Sequence, residues 1–174
     1  MFTHRSSPHS AVRCLSVKIA VYGASGYQGK LVLAELARRS IDMLIVGRDG
    51  ARLRTAATTA GVAGAEQRVA GTDDLDALVA AFRDVDAVIN CAGPFTSSGH
   101  AVIRATIAAG CHYVDTSGEQ LYTKGVFDTF ADEAERAGKG DRGVPGGDPG
   151  TPVALVVTEA TCRDRVDRVE HRAE

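Results

Sequence analysis

The chain has 174 residues, with 20 lysines and arginines against 22 aspartates and glutamates and a formal net charge of −2. That length suits one domain with little left for a second core, and the charge balance excludes the basic footprint of a nucleic-acid binder. No apolar run reaches the roughly 18–20 residues that span a bilayer. Cys14, Cys91, Cys111 and Cys162 show neither C-x-x-C pairing nor metal-ligand spacing, which reads as reduced thiols in a cytoplasmic protein with no metal site.

Residues 1–16 carry His4, Arg5, His9 and Arg13 among serines and no acidic residue. This composition resembles a transit peptide; the preferred reading is a disordered leader or an upstream-extended frame, with the fold beginning at Val17. Val17 to Tyr22 is a β-branched run of the kind found in a buried parallel strand. It ends in Gly23-Ala24-Ser25-Gly26-Tyr27-Gln28-Gly29, and a helix is expected over 27–39, with Gly29, Val32, Leu33 and Leu36 on one face. Strand, glycine loop and helix in this order can cradle a dinucleotide pyrophosphate. The glycines let the backbone turn and approach the phosphates, and the helix N-terminus offers free N–H groups to the negative charge. The spacing G-x-x-G-x-x-G resembles NADP-linked and extended dehydrogenase-like folds.

A second strand is expected over 42–46, ending at Gly47-Arg48-Asp49. A carboxylate at the end of this strand would hydrogen-bond a free ribose 2′-OH. Gly47 leaves room there instead, and the Arg48 guanidinium can grip a 2′-phosphate, so NADP(H) is favoured over NAD(H). Asp49 is assigned as the N-cap of a helix near 49–59. A weak strand follows over 65–70. A helix over 73–82 carries Leu75, Leu78, Val79 and Phe82 at helical spacing, and Asp73 either caps it or approaches the adenine. Residues 86–90 form a fourth strand, 98–109 a helix closed by Gly110, 111–114 a fifth strand and 119–137 a helix closed by Gly138. The alternation implies an α/β fold, a Rossmann-type doubly wound parallel sheet. Three of the five prolines fall between residues 145 and 152. Residues 17–145 are read as the NAD(P)-binding domain and 146–174 as an irregular tail with one short helix over 152–162.

A second motif, Asn90-Cys91-Ala92-Gly93-Pro94-Phe95, puts small residues at the carboxyl end of strand four, where ligands of open parallel sheets sit. With His112-Tyr113-Val114-Asp115 and Gly118-Glu119, it resembles the saccharopine dehydrogenase-like family, close to the bacterial trans-acting enoyl reductases of lipid and polyketide assembly. The resemblance covers roughly Val17 to Gly138. It implies that Gly23, Ser25, Gly26, Tyr27, Gln28 and Gly29 contact the pyrophosphate, that Arg48 meets the 2′-phosphate, and that Cys91, Ala92, Gly93 and Pro94 lie beside the nicotinamide ribose. Asp115 and Glu119 would line the cleft near the reacting end as candidate catalytic groups; Asp115 alternatively caps the turn that follows it. His112 reads as a core histidine. Cys91 reads as small rather than nucleophilic, since no base is evident nearby.

The family's second, substrate-binding domain is absent from this sequence, which reads as a truncated member. The function expected is hydride transfer from NADPH to a C=C, C=N or C=O group of a small-molecule or lipid and polyketide substrate. The alternatives are a non-catalytic NAD(P)-binding or redox-sensing module and an inactive fragment. The exposed sheet end suggests a homo-oligomer.

Overall fold

The computed structural model describes residues 17–139 and 155–157. The elements are β1 (Lys18–Tyr22), α1 (Tyr27–Arg38), β2 (Asp42–Gly47), α2 (Gly50–Thr59), β3 (Glu66–Val69), α3 (Leu75–Phe82), β4 (Ala87–Asn90), α4 (Phe95–Ala109), β5 (His112–Asp115), α5 (Gln120–Lys139) and β6 (Leu155–Val157). The leader expected over 1–16 lies outside the described residues. The strands form one six-stranded sheet in the order β3-β2-β1-β4-β5-β6, and every pairing is parallel. The order reverses between β1 and β4, so the cleft at their carboxyl ends is where a doubly wound sheet takes a ligand.

Alternation along the strands sends side chains into two cores. Ala20, Tyr22, Leu44, Val46, Val88 and Tyr113 pack on Leu78 and Phe82 of α3, Val102 and Ile103 of α4, and Val126 and Phe130 of α5. Val21, Met43 and Ile45 pack on Leu33 and Leu36 of α1 and Leu53 and Ala57 of α2. The sheet is therefore covered on both faces, which is why β1, β2 and β4 are largely apolar.

Several local expectations hold. Asp49 caps α2, its Oδ1 accepting from the N–H groups of Ala51 and Arg52. Gly110 closes α4 in the left-handed region at φ 78°, where a Cβ would be strained. Three differ. Asp74 rather than Asp73 caps α3, accepting from the Ala77 N–H. α4 starts at Phe95, a turn before the expected Ser98. Leu155–Val157, expected within a short helix over 152–162, is a strand paired with β5, Tyr113 opposite Leu155 and Val114 opposite Val156. The sheet thus extends beyond the boundary at residue 145; the rest of the expected tail lies outside the described residues.

At the end of the sheet away from the cleft, Lys18 bridges Glu66 and Asp84, and Arg68 reaches the same two carboxylates and the Ala81 carbonyl. Arg68 first, then Lys18, holds Asp84 well below the usual carboxylate range; Lys18 first, then Arg68, lowers Glu66. Carboxylates depressed by folding contribute stability that is complete above their unfolded values. It is lost as the pH falls through about 4 toward the folded ones. Both carboxylates are about half exposed, so solvent screening limits the network to about 1 kcal/mol. Arg68→Ala is expected to lose about that much at pH 7 in urea denaturation and to show a shallower acid limb between about pH 5 and 3. A parental acid limb in the variant would sink this assignment.

Candidate cofactor site

The carboxyl ends of β1, β2 and β4 surround one cleft of about 540 Å³. The β1 wall is the glycine loop. Gly23 lies at φ +77°, and a Cβ there would stand 2.7 Å from the Ala92 nitrogen. Its N–H donates to the Val46 carbonyl, which ties the loop to β2 at 3.0 Å. Gly26 is the N-cap of α1 and offers no capping side chain. The first-turn N–H groups of α1 are thus left for an anion.

Gly29 plays a different part. It is buried in α1, and a Cβ would meet the Ala24 Cα and the Gly23 carbonyl oxygen at 2.6 Å. Its lack of a side chain lets the helix seat against the loop. Tyr27 is 81% exposed. The Gln28 side chain accepts a hydrogen bond from the Thr116 hydroxyl at the end of β5. Of the loop residues expected at the pyrophosphate, Gly23, Ser25 and Gly26 line the cleft; Tyr27, Gln28 and Gly29 do not.

The β2 wall carries Gly47 and Arg48, joined by Arg52 from the first turn of α2. Asp49 points its carboxylate at the backbone of that turn as its N-cap. Arg48 and Thr72 continue into an adjoining hollow of about 580 Å³, with Asp49, Gly71 and Asp73 on its other sides. Burial raises the Tyr22 phenol between these groups, with Arg48 opposing the shift and Asp73 adding to it.

The β4 wall is Cys91, Ala92, Gly93 and Pro94. Burial, with the charge of Asp115, pushes the Cys91 thiol up to about 11. It is therefore a neutral, small wall residue at physiological pH, not an activated nucleophile. Ser97 and Ser98 donate their hydroxyls to the carbonyls of Pro94 and Ala92 and so fold the start of α4 back on this loop.

Asp115 and Glu119 do not line the cleft. Asp115 is fully buried. Its Oδ2 accepts from the hydroxyls of Tyr113 and Tyr122 and its Oδ1 from the Ser117 N–H. Glu119 accepts from the N–H groups of Phe95 and Thr96. It is the cap of α4, and it explains why that helix starts early. His112 is half-buried at the far end of β5 from the cleft. The sequence reading also passed over cleft residues: Tyr22, Arg52, Thr72, Ser97 and Ser98. Arg52 was legible as a second basic residue four positions after Arg48, in the first turn of α2; Thr72 lies in a connection whose position only the sheet order sets.

A parallel sheet that reverses its order above a glycine loop, with a basic pair at the end of β2, defines a dinucleotide-binding Rossmann domain. Residues 19–141 match the saccharopine dehydrogenase NADP binding domain, and the chain belongs to that family. The cofactor is NADP(H), in agreement with the basic β2 wall. The chain is 29% identical over 130 residues to the lipid droplet localized protein of Caenorhabditis elegans, covering 69% of this chain and 30% of that one. It is 28% identical over 127 residues to the trans-acting enoyl reductase of Mycobacterium tuberculosis, covering 69% and 30%. The fold matches apo saccharopine dehydrogenase (L-Glu forming) from Saccharomyces cerevisiae with a TM-score of 0.58 at 20% identity, over 70% of this chain and 25% of that one. The chain thus spans less than a third of the length of these relatives. Among the described residues, no helix is long and apolar enough to cross a membrane.

Proposed function

We propose that this domain holds NADPH for hydride transfer in an oxidoreductase of saccharopine dehydrogenase-like, trans-acting enoyl reductase type. Bound NADPH would supply the hydride to a C=C, C=N or C=O group of a small-molecule or lipid and polyketide substrate; a C=C acceptor agrees with the enoyl reductase names among the relatives. The carrying observation is the cleft itself, with the open N-terminus of α1, the Arg48 and Arg52 pair and the small Cys91–Pro94 wall arranged around it. In this reading, Gly23, Ser25 and Gly26 receive the pyrophosphate, with Tyr27 and Gln28 offering backbone N–H groups of the first helical turn. Gly29 seats the helix. Arg48 and Arg52 take the 2′-phosphate by charge-assisted hydrogen bonds. Cys91, Ala92, Gly93 and Pro94 leave room for the nicotinamide ribose. A cytoplasmic location belongs to the same reading and rests on the free, buried Cys91 and Cys111.

One observation favours a second reading. The residues lining the cleft include no carboxylate and no imidazole, and Asp115 and Glu119 are committed to other groups. A carboxylic acid or imidazolium as proton donor to the reduced substrate would have to come from outside these residues, whose protic groups include the Tyr22 phenol, the Cys91 thiol and the Ser97 and Ser98 hydroxyls. A non-catalytic NADP-binding or redox-sensing module needs none. Titration of the chain with NADPH, followed by nicotinamide fluorescence, tests both readings; saturable binding is expected. No binding at roughly tens of micromolar would sink both. NADPH oxidation in the presence of enoyl thioesters, imines and ketones then separates them, with turnover supporting the enzyme and its absence the binding module.

A further inference from the structure

A continuous run of hydrogen bonds encloses the β4–α4 loop. At one end, Asn90 Oδ1 accepts from the Ala92 N–H at 3.0 Å, and Asn90 Nδ2 donates to the Tyr113 hydroxyl at 2.9 Å. That hydroxyl donates to Asp115 Oδ2 at 2.9 Å, and the Tyr122 hydroxyl donates to the same oxygen at 3.0 Å. Asp115 Oδ1 accepts from the Ser117 N–H at 3.1 Å, and Ser117 Oγ accepts from the Glu119 N–H at 3.1 Å. At the other end, Glu119 Oε1 and Oε2 accept from the N–H groups of Phe95 and Thr96 at 3.2 and 3.3 Å. The segment from Ala92 to Thr96 is therefore held at both ends by one polar chain drawn from β4, β5, the connection between β5 and α5, and α5. Asn90, Asp115 and Ser117 are 0% exposed, so the bonds at the centre of the run form away from competing water, where leaving one unmade is costly, while those of Glu119 to Phe95 and Thr96 are part-buried and exposed.

We propose that Glu119 is a positioning residue for the nicotinamide half of the cofactor. Its carboxylate, oriented through Ser117 and Asp115, fixes the loop that carries Cys91, Ala92, Gly93 and Pro94. It acts on the cofactor only through that loop. The carboxylate also occupies the N-terminus of α4, so that helix end is closed to a second phosphate while the end of α1 stays open. The proposal rests on the reading above that this loop meets the nicotinamide ribose.

The test separates the two halves of the cofactor. Adenosine 2′,5′-bisphosphate carries the groups assigned to Arg48 and Arg52 and lacks the nicotinamide. Glu119→Ala in the full chain is expected to weaken NADPH about tenfold, as for the loss of charge-assisted hydrogen bonds. It is expected to leave the bisphosphate within about twofold, and Glu119→Gln to fall between alanine and the parent. A merely structural role would move both ligands together, and equal losses, or no loss of NADPH, overturn the proposal. If Glu119→Ala fails to fold, Ser117→Ala, which frees the Glu119 backbone from its anchor, is measured against the same two ligands and decides in the same way. The underlying reading fails separately: if the parent protein binds NADPH no better than the bisphosphate, the loop does not meet the nicotinamide half.

Discussion

Arg48→Ala is expected to weaken NADPH binding about thirtyfold while leaving NADH within about threefold. The guanidinium sits at the end of β2 on the boundary between the cleft and the adjoining hollow. A 2′-phosphate placed there carries close to two negative charges and can take a planar, two-pronged donor. Removing the arginine deletes an interaction that only the phosphorylated cofactor makes. Arg52→Ala is expected to show the same selectivity with a smaller loss, because Arg52 approaches from the first turn of α2. Parallel fluorescence titrations with NADPH and NADH measure both. Losses of equal size for the two cofactors would refute the assignment. The selective part should also shrink as salt is raised, since a partly exposed phosphate contact is screened.

Gly23→Ala is expected to cost about 3 kcal/mol in stability and to remove NADPH binding at accessible concentrations. Two separable effects add. The left-handed backbone at φ +77° costs an L-residue roughly 1–2 kcal/mol. The new methyl would also meet Ala92 at 2.7 to 2.9 Å, backbone atoms included, and they can move only by shifting the β4–α4 loop. Gly61 supplies the control, with φ +72° and nothing within 4 Å of the position of a Cβ. Gly61→Ala should therefore show the backbone cost alone, about 1 kcal/mol, with cofactor binding retained. Urea denaturation and NADPH titration distinguish the two variants. Equal midpoints for them would show that contact with Ala92 contributes nothing.

Much of the architecture was legible because the signals were local. Val17–Tyr22, the glycines at 23, 26 and 29 and the apolar face of α1 lie within one stretch of chain, and the order of strand, loop and helix follows from propensity and period. Asp49 capping α2 and Gly110 closing α4 are likewise settled by residues within a turn of the helix end. Three short apolar residues were not legible in this way. Leu155–Val157 suits a strand or a buried helix about equally, and pairing with β5 decides for the strand.

The candidate site divides along the same line. Arg48 follows β2 directly, so its place at the carboxyl edge came with the strand. The acids did not behave so. Asp115 and Glu119 carry the right chemistry at the right end of β5. The hydroxyls of Tyr113 and Tyr122 reach one, and the N–H groups of Phe95 and Thr96, 24 and 23 residues away along the chain, take the other. The sequence by itself determined most of the segments that become strands and helices, Leu155–Val157 excepted, and the glycine loop that follows β1. Only the tertiary structure decided which polar side chains face the cleft and which are spent inside the protein. Periodicity sets the face on which a side chain emerges, whereas its hydrogen-bond partners come from whichever elements the sheet order brings beside it.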